Sequence, residues 1–246
     1  MDRVIYVAMT AAKQMLNAQS VSAHNLANAG TVGFKADLNT FHTMPIYGEG
    51  HPTRALALAS RPGFDHGAGS IEMTGNDLDV AIIGAGFIAV QAPDGAEAYT
   101  RAGDLKLSVT GQLTNGAGHP ILGNGGPIAI PQSESILIGN DGTVSIRPIG
   151  QEATTLAQVD RIKLVAPDVA ELTKGKDGLF RLKDGELAPP DAAVSVTSKA
   201  LERGNVAIAE EMVNMIENAR QYEMAVKMMS SAQEMDSAGA RILRIG

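Results

Sequence analysis

At 246 residues, with a formal charge of −7, 44% apolar residues and no cysteine, the chain can bury one large or two modest cores without covalent staples. The missing cysteines exclude disulfides, thiolate nucleophiles and cysteine metal sites together. An acidic chain without a Lys/Arg cluster lacks the electrostatic footprint of nucleic-acid binding, and no apolar run approaches the roughly 20 residues that span a bilayer, so neither nucleic acid nor direct membrane insertion is expected.

The first predicted element is a helix over residues 1–30. Ile5, Met9, Ala12, Leu16, Ala23 and Leu26 fall on one face, with Lys13, Gln14, Asn17 and Ser20 elsewhere. Ala8, Ala11, Ala12, Ala18, Ala23 and Ala27 permit close approach of a second helix. Val4 to Ala12 is a short apolar run after Arg3, as in a secretory signal. Asp2 nearly cancels that positive start, however, and the pattern continues through Lys13 to Leu26 instead of stopping at a cleavage site, so an uncleaved helix is expected.

Residues 31–70 read as an extended arm or linker, because Pro45, Pro52, Pro62 and several glycines break any regular period over 41–69. His42, His51 and His66 lie at spacings unlike a compact metal site, and with His24 and His119 they form no H-x-x-x-H pair. No metal ligands are assigned.

Residues 71–200 read as a mainly antiparallel β domain. LDVAII (78–83), GFIAVQA (86–92), DLKLSV (104–109), PIAI (127–130), SILI (135–138) and TVSIR (143–147) are predicted strands. Asp94-Gly95, Asn115-Gly116, Asp141-Gly142, Asp177-Gly178 and Asp184-Gly185 are tight-turn pairs between them. No stretch is long and periodic enough to supply the helical crossovers of a parallel sheet.

VAIIGAGFIA matches G-x-G-x-x-A of dinucleotide-binding folds at Gly84, Gly86 and Ala89. The fingerprint needs a helix whose N-terminus faces the pyrophosphate. Here Pro93, Asp94 and Gly95 follow the β-like FIAVQA, so a turn or strand kink is expected and no cofactor. No G-x-S-x-G, S-x-x-K or H-E-x-x-H motif is present, and no carboxylate pair stands out, so no catalytic residues are assigned and the chain is read as a non-enzyme.

The last predicted element is a helix over 201–246. Ile208, Met215, Tyr222, Met229 and Leu243 recur at multiples of seven, with Met212, Ala219, Val226 and Ala240 four residues later, the spacing of a coiled-coil seam interrupted at Gln233 and Asp236. The fold class is therefore α+β, with N- and C-terminal helices forming a coiled-coil-like bundle and a central, mainly antiparallel β domain. Two half-apolar helices want partners, either in neighbouring chains, which points to assembly, or within an ordinary domain whose first and last helices pack on a central sheet.

Three ordered stretches resemble the axial proteins of the bacterial flagellum. AHNLANAGTVGFK (23–35) is similar to the N-terminal signature N-N-L-A-N-x-x-T-x-G-F-K of rod and hook proteins, through Asn25, Leu26, Ala27, Asn28, Thr31, Gly33, Phe34 and Lys35, with His24 in place of an asparagine. Asn28 and Gly30 are expected to end the helix with positive φ, and Gly33 to turn Phe34 back toward the helices. NDLDVAIIGAGFIAV and the following YTRAG resemble the family's L-D-V-A-I-x-G-x-G-F-F and Y-T-R-x-G, with Ile88 for the second aromatic.

LERGNVAIAEEMVNMIENARQYEMAVK (201–227) resembles the C-terminal signature. Asn205, Val206, Met212, Met215, Ile216, Ala219, Arg220, Tyr222, Glu223 and Val226 are taken as assembly residues there, with Gly204 for a serine and Ala225 for an asparagine. The resemblance implies a structural subunit of the basal-body rod, polymerising through its terminal helices into a hollow drive shaft. Its partners would be itself, other proximal and distal rod proteins and the flagellar type III export apparatus, with export to the periplasmic rod without a cleaved signal. The length excludes the hook protein, and MDRVIYVAM is more like proximal than distal rod proteins. Distal rod identity is the near alternative; a β-domain hydrolase, or a secreted binding module dimerised by its helices, is the alternative of another class.

Overall fold

A computed structural model describes residues 2–45, 55–59, 63–150 and 156–243, which fall into two compact units. The first contains residues 1–28, 36–65 and 206–246, the second residues 29–35 and 66–205.

The first unit is built on helix α1, Asp2–Ala27, and helix α2, Ile208–Leu243, packed against each other. Asn25, near the end of α1, bonds Glu211, near the start of α2. Burial on α1 reaches back to Ala8 and on α2 forward to Ala232, so the helices run antiparallel. The expected arm is partly regular. Asp37–Leu38 pairs antiparallel with Gly63–Phe64, and Phe41–Pro45 pairs with Ala55–Ala59 from Phe41↔Ala59 to Pro45↔Ala55. Pro45 is tolerated because it closes its strand, where a missing N–H costs least. Pro52, Pro62 and His51 lie outside the described residues.

The second unit is antiparallel β. Its largest sheet has five strands in the order Leu164–Val165, Phe87–Gln91, Glu97–Thr100, Phe180–Leu182 and Leu172–Lys174. A three-stranded sheet joins Ser133–Ile138, Thr143–Pro148 and Ala157–Arg161, and Val80–Ile83 pairs with Ser195–Ser198. Alternate residues from these strands, including Val80, Ile82, Ile88, Val90, Val144, Ile146 and Val196, form one core with Leu113, Ile121, Ile128 and Ile162. The only described helical turn in the unit is Val169–Glu171.

Two expected strands shrink. DLKLSV reduces to Lys106–Leu107, because Gly111 turns back onto Ser108 and leaves Val109 in solvent. PIAI reduces to the isolated bridges Leu122↔Pro127 and Gln112↔Ala129 with backbone bonds at Ile128 and Ile130, since Pro127 has no N–H for a longer ladder. Positive φ appears at Gly95, Gly142, Gly178 and Gly185 as the Asp-Gly pairs require, whereas at Asn115-Gly116 it falls two residues later, on Gly118.

Gly84 has φ +79 and is followed by the strand Phe87–Gln91, not by a helix, so the G-x-G-x-x-A stretch offers no helix N-terminus to a dinucleotide.

Candidate functional site

α1 turns a small-residue face inward. Ala8, Ala12 and Ala18 are buried with Gln14, Ser22 and Asn25. Of the expected stripe, Ala12 is buried and Ile5 and Leu26 half-buried, while Met9, Leu16 and Ala23 stand exposed. Alanine faces let helix axes come close, and larger side chains are displaced to the flanks.

On α2, Met215, Tyr222 and Met229 of the seven-residue repeat are half-buried, but the residues completing the seam are Ala225 and Ala232, three positions on, rather than Met212 and Val226, four positions on. Ile208, Met212, Val213, Ile216, Met224, Met228 and Met235 are each more than half exposed. Ala219 is half-buried, and Arg220, Glu223 and Val226 are exposed. Of the assembly residues expected on this helix, the structure turns Met215, Ala219 and Tyr222 at least partly inward and leaves the others outward.

The signature 23–35 splits between the units. Asn25 is 1% exposed. Its Nδ2 donates to the Asp37 carbonyl at 3.0 Å and to Glu211 Oε1 at 2.8 Å, and its Oδ1 accepts the Asp37 N–H at 2.8 Å. His24 Nδ1 lies 2.7 Å from Asp37 Oδ2. Asn28 closes α1, its N–H bonded to the carbonyls of His24 and Asn25 and its Nδ2 to His24 O. Neither Asn28 nor Gly30 has positive φ, so the expected left-handed stop is replaced by side-chain capping, and the first left-handed residue is Gly33, at φ +66.

In the second unit the three motifs converge on one carboxylate. Glu202, from LERGN, receives Lys35 Nζ of GFK on Oε1 and Arg101 NH1 of YTRAG on Oε2, each at 2.7 Å, and the Gly69 N–H at 2.9 Å. The side chains of Lys35, Arg101 and Glu202 are 3%, 7% and 1% exposed. Burial pushes the Glu202 carboxyl up, but the bonds from Lys35, Arg101 and Gly69 outweigh it and hold it below the ordinary glutamate range. Arg101 lies over the Phe87 ring, 5.5 Å from its centroid.

Around this cluster the two signature segments bond backbone to backbone. Gly33 N–H donates to Glu202 O and Asn205 N–H to Phe34 O. Lys35 also reaches Gly67 O at 2.7 Å, and Asn205 Nδ2 reaches the same carbonyl at 3.1 Å. A Cβ on Gly33 would sit 2.3 Å from the Arg101 carbonyl carbon, so no other residue fits. Phe34 packs under Lys174, whose Nζ is 3.9 Å from the ring centroid and donates to Lys35 O. Thr31 and Val206 flank these contacts in sequence. Arg101 and Glu202 stood within the quoted motifs without being singled out; Lys174 carried no signal at all.

Among the described residues no cluster of three His, Asp or Glu side chains is placed to hold a metal, and no helix is long and apolar enough to cross a membrane. A cleft of about 350 Å³ is lined by carboxylates (Glu171, Asp184, Glu186, Asp191), prolines, leucines and alanines, and its lining offers no nucleophile with an adjacent base.

Three family models match in chain order: Flagella basal body rod protein over residues 5–35, Flagellar hook protein FlgE/F/G D1 domain over 81–146, and Flagellar basal body rod FlgEFG protein C-terminal over 197–242. The chain is 43% identical to the flagellar basal-body rod protein FlgF of Salmonella typhimurium, over 99% of both chains. It is 45% identical to FlgF of Escherichia coli, over 97% of this chain and 96% of that one. To the flagellar basal-body rod protein FlgG of Bacillus subtilis it is 32% identical, over 96% and 97%.

Proposed function

Since the chain belongs to the flagellar basal-body rod protein family, we propose that it is a non-enzymatic structural subunit of the proximal rod. It polymerises through α1 and α2 into a hollow shaft that transmits torque in the periplasm. Its partners are further copies of itself and the neighbouring rod proteins, and it reaches them through the flagellar export apparatus with its first helix intact. The higher identity to the two FlgF relatives than to the FlgG relative supports the proximal over the distal position.

The observation that carries the reading is the row of large apolar side chains on both helices outside their mutual seam: Met9 and Leu16 on α1, Met212, Val213, Ile216, Met224, Met228 and Met235 on α2. A single exposed apolar residue is ordinary; eight large ones along two helices mark a surface that another protein covers. The test is Met212→Asp combined with Ile216→Asp. Both side chains are more than half exposed, so the isolated chain should keep its stability. In the packed assembly each carboxylate would be buried without a partner, at several kcal/mol apiece. A folded, exported protein in non-motile cells lacking rods is expected; normal rods and swimming would overturn the proposal.

A further inference from the structure

The seam between α1 and α2 is repetitive. Met215, Tyr222 and Met229 recur every seven residues on α2, with Ala225 and Ala232 three residues after Tyr222 and Met229, and α1 buries Ala8, Ala12 and Ala18 beside Gln14 and Ser22. Sliding α2 by one heptad, roughly 10.5 Å, would bring like side chains back to like positions. The seven-residue repeat of α2 therefore leaves a one-heptad slip open, and the Asn25–Glu211 contact breaks the repeat. Asp37 orients the Asn25 amide by donating its N–H to Oδ1 and accepting from Nδ2 at its carbonyl, so the amide presents only a donor toward α2. That donor meets Glu211 Oε1 at 2.8 Å.

We propose that the Asn25–Glu211 hydrogen bond sets the axial register of the two terminal helices, which makes Asn25 a positioning residue for the helix pair. A slip in one direction replaces Glu211 by Asn218, uncharged and one methylene shorter; a slip in the other replaces it by Gly204, which has no side chain and precedes the helix. Charge-assisted bonds are about twice as strong as neutral ones, so only the observed register satisfies Asn25 fully. Glu211 Oε2 is buried without a hydrogen-bond partner. A half-satisfied carboxylate is unfavourable for packing, and its use is selecting one pairing among several, as single polar residues do in coiled coils.

The native chain has no cysteine, so register can be read by cross-linking. Ala12 lies thirteen residues before Asn25 and Ala225 fourteen after Glu211, which puts them at one level on antiparallel helices; Ala232 lies one heptad beyond. The purified full-length chain would carry Ala12→Cys with either Ala225→Cys or Ala232→Cys and be oxidised, and the intramolecular product scored on a non-reducing gel. Trapping requires the helices to pair only part of the time and does not depend on incorporation into a rod.

In the parent background the 12/225 product should exceed the 12/232 product by about tenfold or more, the preference a charge-assisted bond provides. Asn25→Leu should bring the two yields close together. Glu211→Ala with Asn218→Glu, which moves the acceptor one heptad while keeping Asn25, should reverse the preference. An unchanged preference for 12/225 in the acceptor-shifted protein would overturn the proposal, as would equal yields in the parent or loss of both products when the acceptor is moved.

Discussion

Glu202→Gln removes one negative charge, with almost no change of shape, from a cluster whose Lys35 and Arg101 side chains are 3% and 7% exposed. Both cations stay buried, each having lost its counter-charge, and removing one partner of a buried pair costs about 3–5 kcal/mol. For a unit of this size each kcal/mol lowers the melting temperature by about 2–4 °C, so a fall of roughly 6–20 °C is expected in near-UV circular dichroism of the full-length chain. Acid reports the same charge from the other side. The folded pKa of Glu202 lies below the unfolded value, so its stabilisation is fully present above the ordinary glutamate pKa of 4.5 and is lost as pH falls below 4.5 through the folded value. Glu202→Gln should flatten that part of the acid melt. A variant melting within about 2 °C of the parent, with the acid slope unchanged, would show that the ion cluster does not hold the unit together.

Gly33→Ala should cost about 2–4 kcal/mol, because the added Cβ meets the Arg101 backbone at 2.3 Å and φ +66 is strained for any side chain, whereas Gly30→Ala, with nothing within 4 Å, should stay within about 1 kcal/mol; urea midpoints of the two variants decide it. Tyr99→Phe should cost about 1–3 kcal/mol by leaving the Ala188 N–H, now 2.7 Å from the phenol oxygen, unpaired in a buried site. Burial pushes the Tyr99 phenol up to about 12, above its ordinary value of 10.0. Its contribution is thus complete below pH 10 and lost as pH rises from 10 toward 12, and alkaline melts of Tyr99→Phe should lack that decline.

Helices and turns were legible because their signals are local. A seven-residue apolar repeat from Met215 to Met229 and Asp-Gly pairs such as Asp141-Gly142 specify conformation within a few residues. Which side of α2 faces α1 was not legible. Both the three-step set with Ala225 and Ala232 and the four-step set with Met212 and Val226 continue the repeat, and the choice depends on how closely the alanines of α1 can approach. Strands of two or three residues, such as Leu164–Val165 and Leu172–Lys174, are too short to show alternation. The ion cluster was hidden for a different reason. Lys35 and Arg101 stand 167 and 101 residues from Glu202, and no periodicity within one segment records a contact at that separation.

The helix pair leaves many of its large apolar side chains outside. Within the seam the buried apolar residues are Ala8, Ala12, Ala18, Ala225 and Ala232, whereas Met9, Leu16, Met212, Val213, Ile216, Met224, Met228 and Met235 are each about half exposed. Full burial of a large apolar side chain is worth about 1.5–3 kcal/mol, so covering the exposed halves of these residues would contribute on the order of 8 kcal/mol per chain. Ordering a helical residue costs about 1–2 kcal/mol, which an alanine seam offsets poorly. On the proposed reading the helices are therefore marginal in the dilute chain and are completed by neighbours, while the β unit, with its own core and ion cluster, is stable throughout. Helical circular dichroism should accordingly rise between about 1 and 100 µM chain by mass action, with the thermal transition of the β unit unmoved. Helix content that is independent of concentration and melts together with the β unit would mean that α1 and α2 are already satisfied by each other, and the exposed methionines would then need another explanation.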